Sequence, residues 1–85
     1  HRKKLMPMLC AEQSLRARAM LRLSREDLAR AARVAFATIA DFETGRRQPQ
    51  PRTLDAMQIA LEAAGVDFIP KNGGGPGVRL RKAAE

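Results

Sequence analysis

The chain has 85 residues, with 16 Lys and Arg against 9 Asp and Glu and a formal net charge of +7, so it is one small basic domain whose first-choice partner is a polyanion held through counterion release. Aromatic residues make up only 4% and Trp and Tyr are absent, so the core is modest and association with a second copy is an expected source of stability. A single cysteine, Cys10, rules out an intramolecular disulfide and a cysteine-rich metal site, no apolar run nears the roughly 20 residues of a membrane span, and no nucleophile has an adjacent base.

These exclusions remove enzyme chemistry, cofactors and metals from the expectations and point to the cytoplasm. Residues 1–9, opening on His1, Arg2, Lys3 and Lys4, read as a flexible, solvated basic tail. Helix formers then fill 11–21, and Leu15, Ala19, Met20 and Leu21 fall on one side, which predicts a first helix with that side inward. Arg18 lies next to this face, where an unpaired charge is expensive, so it needs a carboxylate partner.

The stretch 24–45 organises the rest. Ser24 is a good N-cap with Asp27 three residues on, a shortened capping box that predicts a helix over 25–32 with Leu28, Ala29 and Ala32 on one side. A break at Arg33, Val34 and Ala35 follows. A second helix over 35–44 then turns Ile39 and Phe42 inward and ends at Gly45, a residue free to take the left-handed conformation. Ala29 has to be small because two helices crossing steeply over so short a turn bring their backbones close.

Arg46, Arg47 and Arg52 punctuate a proline-stiffened basic loop that regular structure cannot enter. A fourth helix over 52–64 carries Leu54, Met57, Ala60 and Leu61 inward and stops at Gly65, with Met57 and Met20 as core filler. Two short runs of β-formers, 66–69 and 78–81, flank the glycine-rich segment 71–77 and read as a hairpin. That segment lacks the Gly-Lys-Ser/Thr ending of a phosphate-binding loop, so no nucleotide site is expected there.

The pattern of Ser24, Leu28, Ala29, Ala32 and Val34, then Thr38, Ile39, Phe42, Glu43 and Gly45, resembles the Cro/repressor (Xre-type) helix-turn-helix proteins of phages and bacteria. The resemblance implies a mainly α fold, a four-helix helix-turn-helix domain over 10–65, to which the residue pattern adds a short C-terminal β-hairpin and tail over 66–85. It nominates Glu43 as the partner of Arg18 and makes 35–44 the recognition helix. It also places Arg46, Arg47 and Arg52 where relatives grip the DNA backbone. Two departures stand out. Arg33 occupies a turn position that relatives usually fill with glycine, and Ala35, Phe36 and Ala37 replace the usual Ser or Thr cap and polar base readers.

The resulting expectation is a DNA-binding transcriptional regulator, most simply a repressor, bound to double-stranded DNA in the bacterial nucleoid. Its base-facing residues are Ala35, Phe36, Ala37, Thr38, Ala40 and Asp41, with thymine methyls within reach of Phe36 and the alanines and a cytosine amino group within reach of Asp41. Its phosphate contacts are Arg25, Arg33, Arg46, Arg47 and Arg52. A homodimer is expected to join through Phe68, Ile69, Val78 and Leu80 of the hairpin, setting two recognition helices about one turn of DNA apart over an inverted repeat. The apolar start of the recognition helix leaves open a protein-binding adaptor or antiactivator, and an antitoxin that binds both DNA and a toxin.

Overall fold

A computed structural model describes residues 9–69 and 77–81. They form α1 (Ala11–Leu21), α2 (Arg25–Ala32), α3 (Phe36–Glu43), α4 (Pro51–Ala64), β1 (Val66–Ile69) and β2 (Gly77–Leu80). The chain is mainly helical, four helices followed by a two-stranded antiparallel hairpin, as the residue pattern predicts.

Each helix end has a local cause. At α2 the Ser24 hydroxyl accepts from the Asp27 amide at 2.9 Å while the Asp27 carboxylate accepts from the Ser24 amide at 2.9 Å, a reciprocal capping box. Pro51 opens α4 at its first position, where a missing N–H removes no hydrogen bond. At the end of α3 the Gly45 amide donates to the Phe42 carbonyl and the Arg46 amide to the Asp41 carbonyl, with Gly45 at φ +80°. This pair of bonds is a Schellman motif, and it sets the direction in which the basic loop leaves the helix.

The core gathers one to three residues from every element except β2. Ala17, Leu28, Ile39, Leu54, Met57, Leu61 and Val66 are fully or almost fully buried, with Leu9 and Phe42 close behind. Each large member contributes about 1.5–3 kcal/mol by leaving water. α2 packs on both α3 and α4, and α1 lies across α3, α4 and the hairpin. Leu23, Val34, Ala29 and Ala60 cover the core edge as half-buried neighbours.

The expected inner face of α1 is corrected by the structure. Leu15 and Met20 are 40% and 41% exposed and Ala19 faces solvent, whereas Gln13, Ser14 and Ala17 are buried. Polar residues turn inward because each finds a partner there. The Gln13 carbonyl accepts from the Cys10 amide at 3.0 Å, its amide donates to the Gly77 carbonyl at 3.3 Å, and Ser14 donates to Glu43. Leu21 alone of the four expected residues packs against the core.

The hairpin packs against the helices, β1 on α1 and α4 and β2 on α1. Val66 is fully buried, Phe68 and Val78 pack against the core, and the register pairs Val66 with Leu80 and Phe68 with Val78. Directly opposed residues share a face, so Leu80 lies on the face of Phe68 and Val78, while Ile69 lies on the other with Asp67 and Arg79. Of the four hairpin residues expected at the dimer joint, Phe68, Val78 and Leu80 thus share one face and Ile69 lies on the other. Arg81 fastens the end of β2, its amide donating to the Gly65 carbonyl at 2.7 Å and its guanidinium to Asp67 and the Val66 carbonyl. Of the expected tail 1–9, residues 1–8 lie outside the described residues, as does 71–76 of the glycine-rich segment, whereas Leu9 is buried in the core and Gly77 opens β2.

Candidate nucleic-acid interface

α3 is held from behind at its C-terminal half. Ile39 and Phe42 sink into the core, and beside them the Glu43 side chain is wholly excluded from solvent. A lone buried carboxylate would be very costly, but this one receives four hydrogen bonds. Arg18 donates through Nε to Oε2 at 3.0 Å and through its terminal nitrogen to Oε1 at 2.7 Å, a bidentate pair, and Arg25 Nε donates to Oε1 at 2.9 Å. The fourth donor is the Ser14 hydroxyl. Burial pushes the Glu43 carboxyl up, yet the bonds from Arg18, Ser14 and Arg25 outweigh it and hold the group below its ordinary value. Arg18 also donates to the Leu23 carbonyl at 3.0 Å, so α1, the α1–α2 connection, α2 and α3 meet at one carboxylate.

The N-terminal half of α3 is open. Ala35, in the extended conformation of an N-cap, offers no side-chain acceptor, and Ala35, Phe36 and Ala37 are all exposed, Phe36 by 49%. Thr38, Ala40 and Asp41 are half-buried along the same helix. Thr44, the C-cap, folds its hydroxyl back onto the Ala40 carbonyl at 2.8 Å and the Asp41 carbonyl at 3.3 Å.

Arginines stand at both ends of α3. Arg33 stands just before α3, Arg46 and Arg47 just after it, and Arg52 in the first turn of α4, all exposed. Among the described residues no carboxylate pairs with Arg33, Arg46 or Arg52, and Arg47 has only a loose contact with Asp41 at 3.9 Å. Arg46 and Arg47 also line a cleft of about 500 Å³ with Leu9, Cys10, Ala11, Phe42, Gly45 and Gln48, which brings them beside the start of α1. Arg25 stands apart from this set, since Glu43 engages its Nε and only 30% of its side chain is exposed. Arg33 holds the turn in the left-handed conformation at φ 59°, and the Val34 amide behind it donates to the Ala29 carbonyl at 3.0 Å.

Ser14 and the second role of Arg25 are the functional residues that sequence reasoning missed. Ser14 lies one helical turn before Arg18 and hence on the same side of α1, which is the signal that would have placed both on the Glu43 carboxylate. Among the described residues no helix is long and apolar enough to cross a membrane.

The two short helices α2 and α3, joined by the Arg33–Val34–Ala35 turn and backed by α1 and α4, define a helix-turn-helix domain. The family model described as "Helix-turn-helix domain" matches residues 13–68, about two thirds of the chain, and the chain belongs to that family. The match is consistent with the Cro/repressor resemblance of 24–45. No curated protein matches the chain.

Proposed function

We propose that the protein is a sequence-specific DNA-binding transcriptional regulator, most simply a repressor, that lays α3 in the major groove. The observation that carries this reading is the set of exposed arginines at the two ends of α3, Arg33 before it and Arg46, Arg47 and Arg52 after it, with almost no carboxylate to neutralise them. Such a frame suits two phosphate strands on either side of an inserted helix, and the net charge of +7 favours the encounter. Arg46, Arg47, Arg33 and Arg52 act as the grips, with the exposed edge of Arg25 as a secondary contact. Ala35, Phe36, Ala37, Thr38, Ala40 and Asp41 form the side of α3 that meets the bases.

A single domain of this size covers a short half-site, so the reading includes a homodimer over an inverted repeat. Leu80, 52% exposed at the end of β2, is the hairpin residue best placed to meet a second copy. Exposed Phe36 also supports a second reading, in which the same end of α3 anchors a protein partner.

The deciding experiment is fluorescence anisotropy on mixed-sequence duplexes over a salt series. DNA binding predicts a steep fall of affinity with salt, and Arg46→Ala should reduce the slope by about one. Failure to bind any duplex at low salt would leave the protein-anchoring reading in place of this one.

A further inference from the structure

Resting on the DNA-binding reading, we propose that α3 selects its sites through the C5-methyl groups of pyrimidines, so that the half-site is defined by adjacent thymines and not by hydrogen-bonded purines. In helices that enter the major groove by their N-terminal end, the first turn meets the base edges. Here that turn is Phe36, Ala37 and Thr38 behind the cap residue Ala35, and its exposed part is hydrocarbon.

Of the polar groups farther along, Thr44 is engaged and Asp41 has one loose contact. Thr44 donates its hydroxyl to the Ala40 and Asp41 carbonyls, and the Asp41 carboxylate leans toward Arg47. Half-buried Thr38 carries a methyl beside its hydroxyl on Cβ, so it offers the turn an apolar contact as well as a polar one. The bidentate side chains that read guanine or adenine, arginine, asparagine and glutamine, occur nowhere from Ala35 to Thr44. What remains for contact is the ring of Phe36 and the methyls of Ala35, Ala37 and Ala40. In the major groove the feature that hydrocarbon recognises is the thymine methyl, or the same methyl on 5-methylcytosine.

The test begins with duplexes enriched from a random pool by the full chain. In the enriched duplex, each thymine is replaced in turn by deoxyuridine, which removes one methyl and leaves the hydrogen-bonding edge intact. Loss of about fourfold in affinity per contacted thymine is expected, the value of one buried methyl group. Replacing the same T·A pair by 5-methylcytosine·G separates the two methyl sources: retained affinity assigns recognition to the methyl on either base, and lost affinity confines it to thymine. Phe36→Ala should erase the thymine-over-uridine preference at one position or a neighbouring pair, whereas Arg46→Ala should weaken both duplexes equally. Enrichment of a sequence that binds equally well with uridine throughout would overturn the methyl proposal and leave DNA binding standing. No enrichment at all would overturn both.

Discussion

The two halves of α3 are built on opposite principles. Its C-terminal half ends in a carboxylate without solvent exposure that four donors from α1 and α2 clamp, followed by a Schellman turn. Its N-terminal half starts without a side-chain cap and leaves Ala35, Phe36 and Ala37 in solvent. One helix of eight residues thus keeps rigidity at one end and contact surface at the other. Substitutions at the contact end can alter what is bound without disturbing the scaffold. Substitutions at the clamped end act on the whole fold.

The sharpest way to break this contrast is Glu43→Ala. It strands two partly buried guanidiniums and the buried Ser14 hydroxyl, so unfolding stability should drop by about 3 kcal/mol. Phe36→Ala, at the other end, should change it by less than about 1 kcal/mol. Denaturant melts of the two variants check the ranking, and equal losses would dissolve the distinction between the halves.

Acid should separate the halves next. Because the folded protein holds the Glu43 carboxyl below its ordinary value of 4.5, its contribution is complete above that pH and is lost as pH falls through the lower folded value. Asp27 is held low in the same direction, chiefly by the hydrogen bond from the Ser24 backbone and then by the Ser24 side chain, and it is present in every variant compared. The stability gap between the parent and Glu43→Gln should therefore be widest at neutral pH and close progressively below pH 4.5. A gap that stays constant from pH 7 to pH 3 would mean that the charge of Glu43 contributes nothing.

How much of this was readable in the residues depended on whether a local rule decided the matter. Ser24 with Asp27, Gly45 and Gly65 are short-range signals, and the helices they bound fall within a residue or so of expectation, whereas Pro51, read as part of the basic loop, opens α4. The inward stripe of α4 was equally legible, because Leu54, Met57, Ala60 and Leu61 are apolar and point to one core. α1 misled because periodicity treats every polar side chain as an outward one, whereas Gln13 and Ser14 turn inward to partners 64 and 29 residues away. The same distance effect hid the pairing of Arg25 with Glu43, since a basic residue at a helix start reads as a phosphate contact until the carboxylate arrives from another helix. In the hairpin the strands were visible but the register was not, and register is what separates Ile69 from Leu80.

The open start of α3 invites repair. Ala35 already has the extended backbone of an N-cap at φ −63° and ψ 142°, so Ala35→Ser places a hydroxyl within reach of the free amides of the first turn without moving the chain. Stability should rise by about 1 kcal/mol. Thermal melts will show this, and the absence of any gain would mean that solvent already satisfies those amides equally well.

The smallest expected effect gives the finest test of the contrast. Arg22 and Arg33 both sit in the left-handed region, at φ 58° and 59°, each at the C-terminal end of a helix. For a residue with a Cβ this conformation costs about 1 kcal/mol, and glycine removes that cost while regaining about half of it as extra freedom of the unfolded chain. Arg22→Gly and Arg33→Gly should therefore each stabilise the fold by about 0.5 kcal/mol, and by similar amounts because their local geometry is the same. Their effects on DNA should differ. Arg33 adjoins the open end of α3 and is placed to grip phosphate, so Arg33→Gly should lower affinity and flatten the salt slope by about one, whereas Arg22, at the end of α1, should leave the slope unchanged. Equal slopes for the two variants would remove Arg33 from the set of grips while leaving its role in the turn intact.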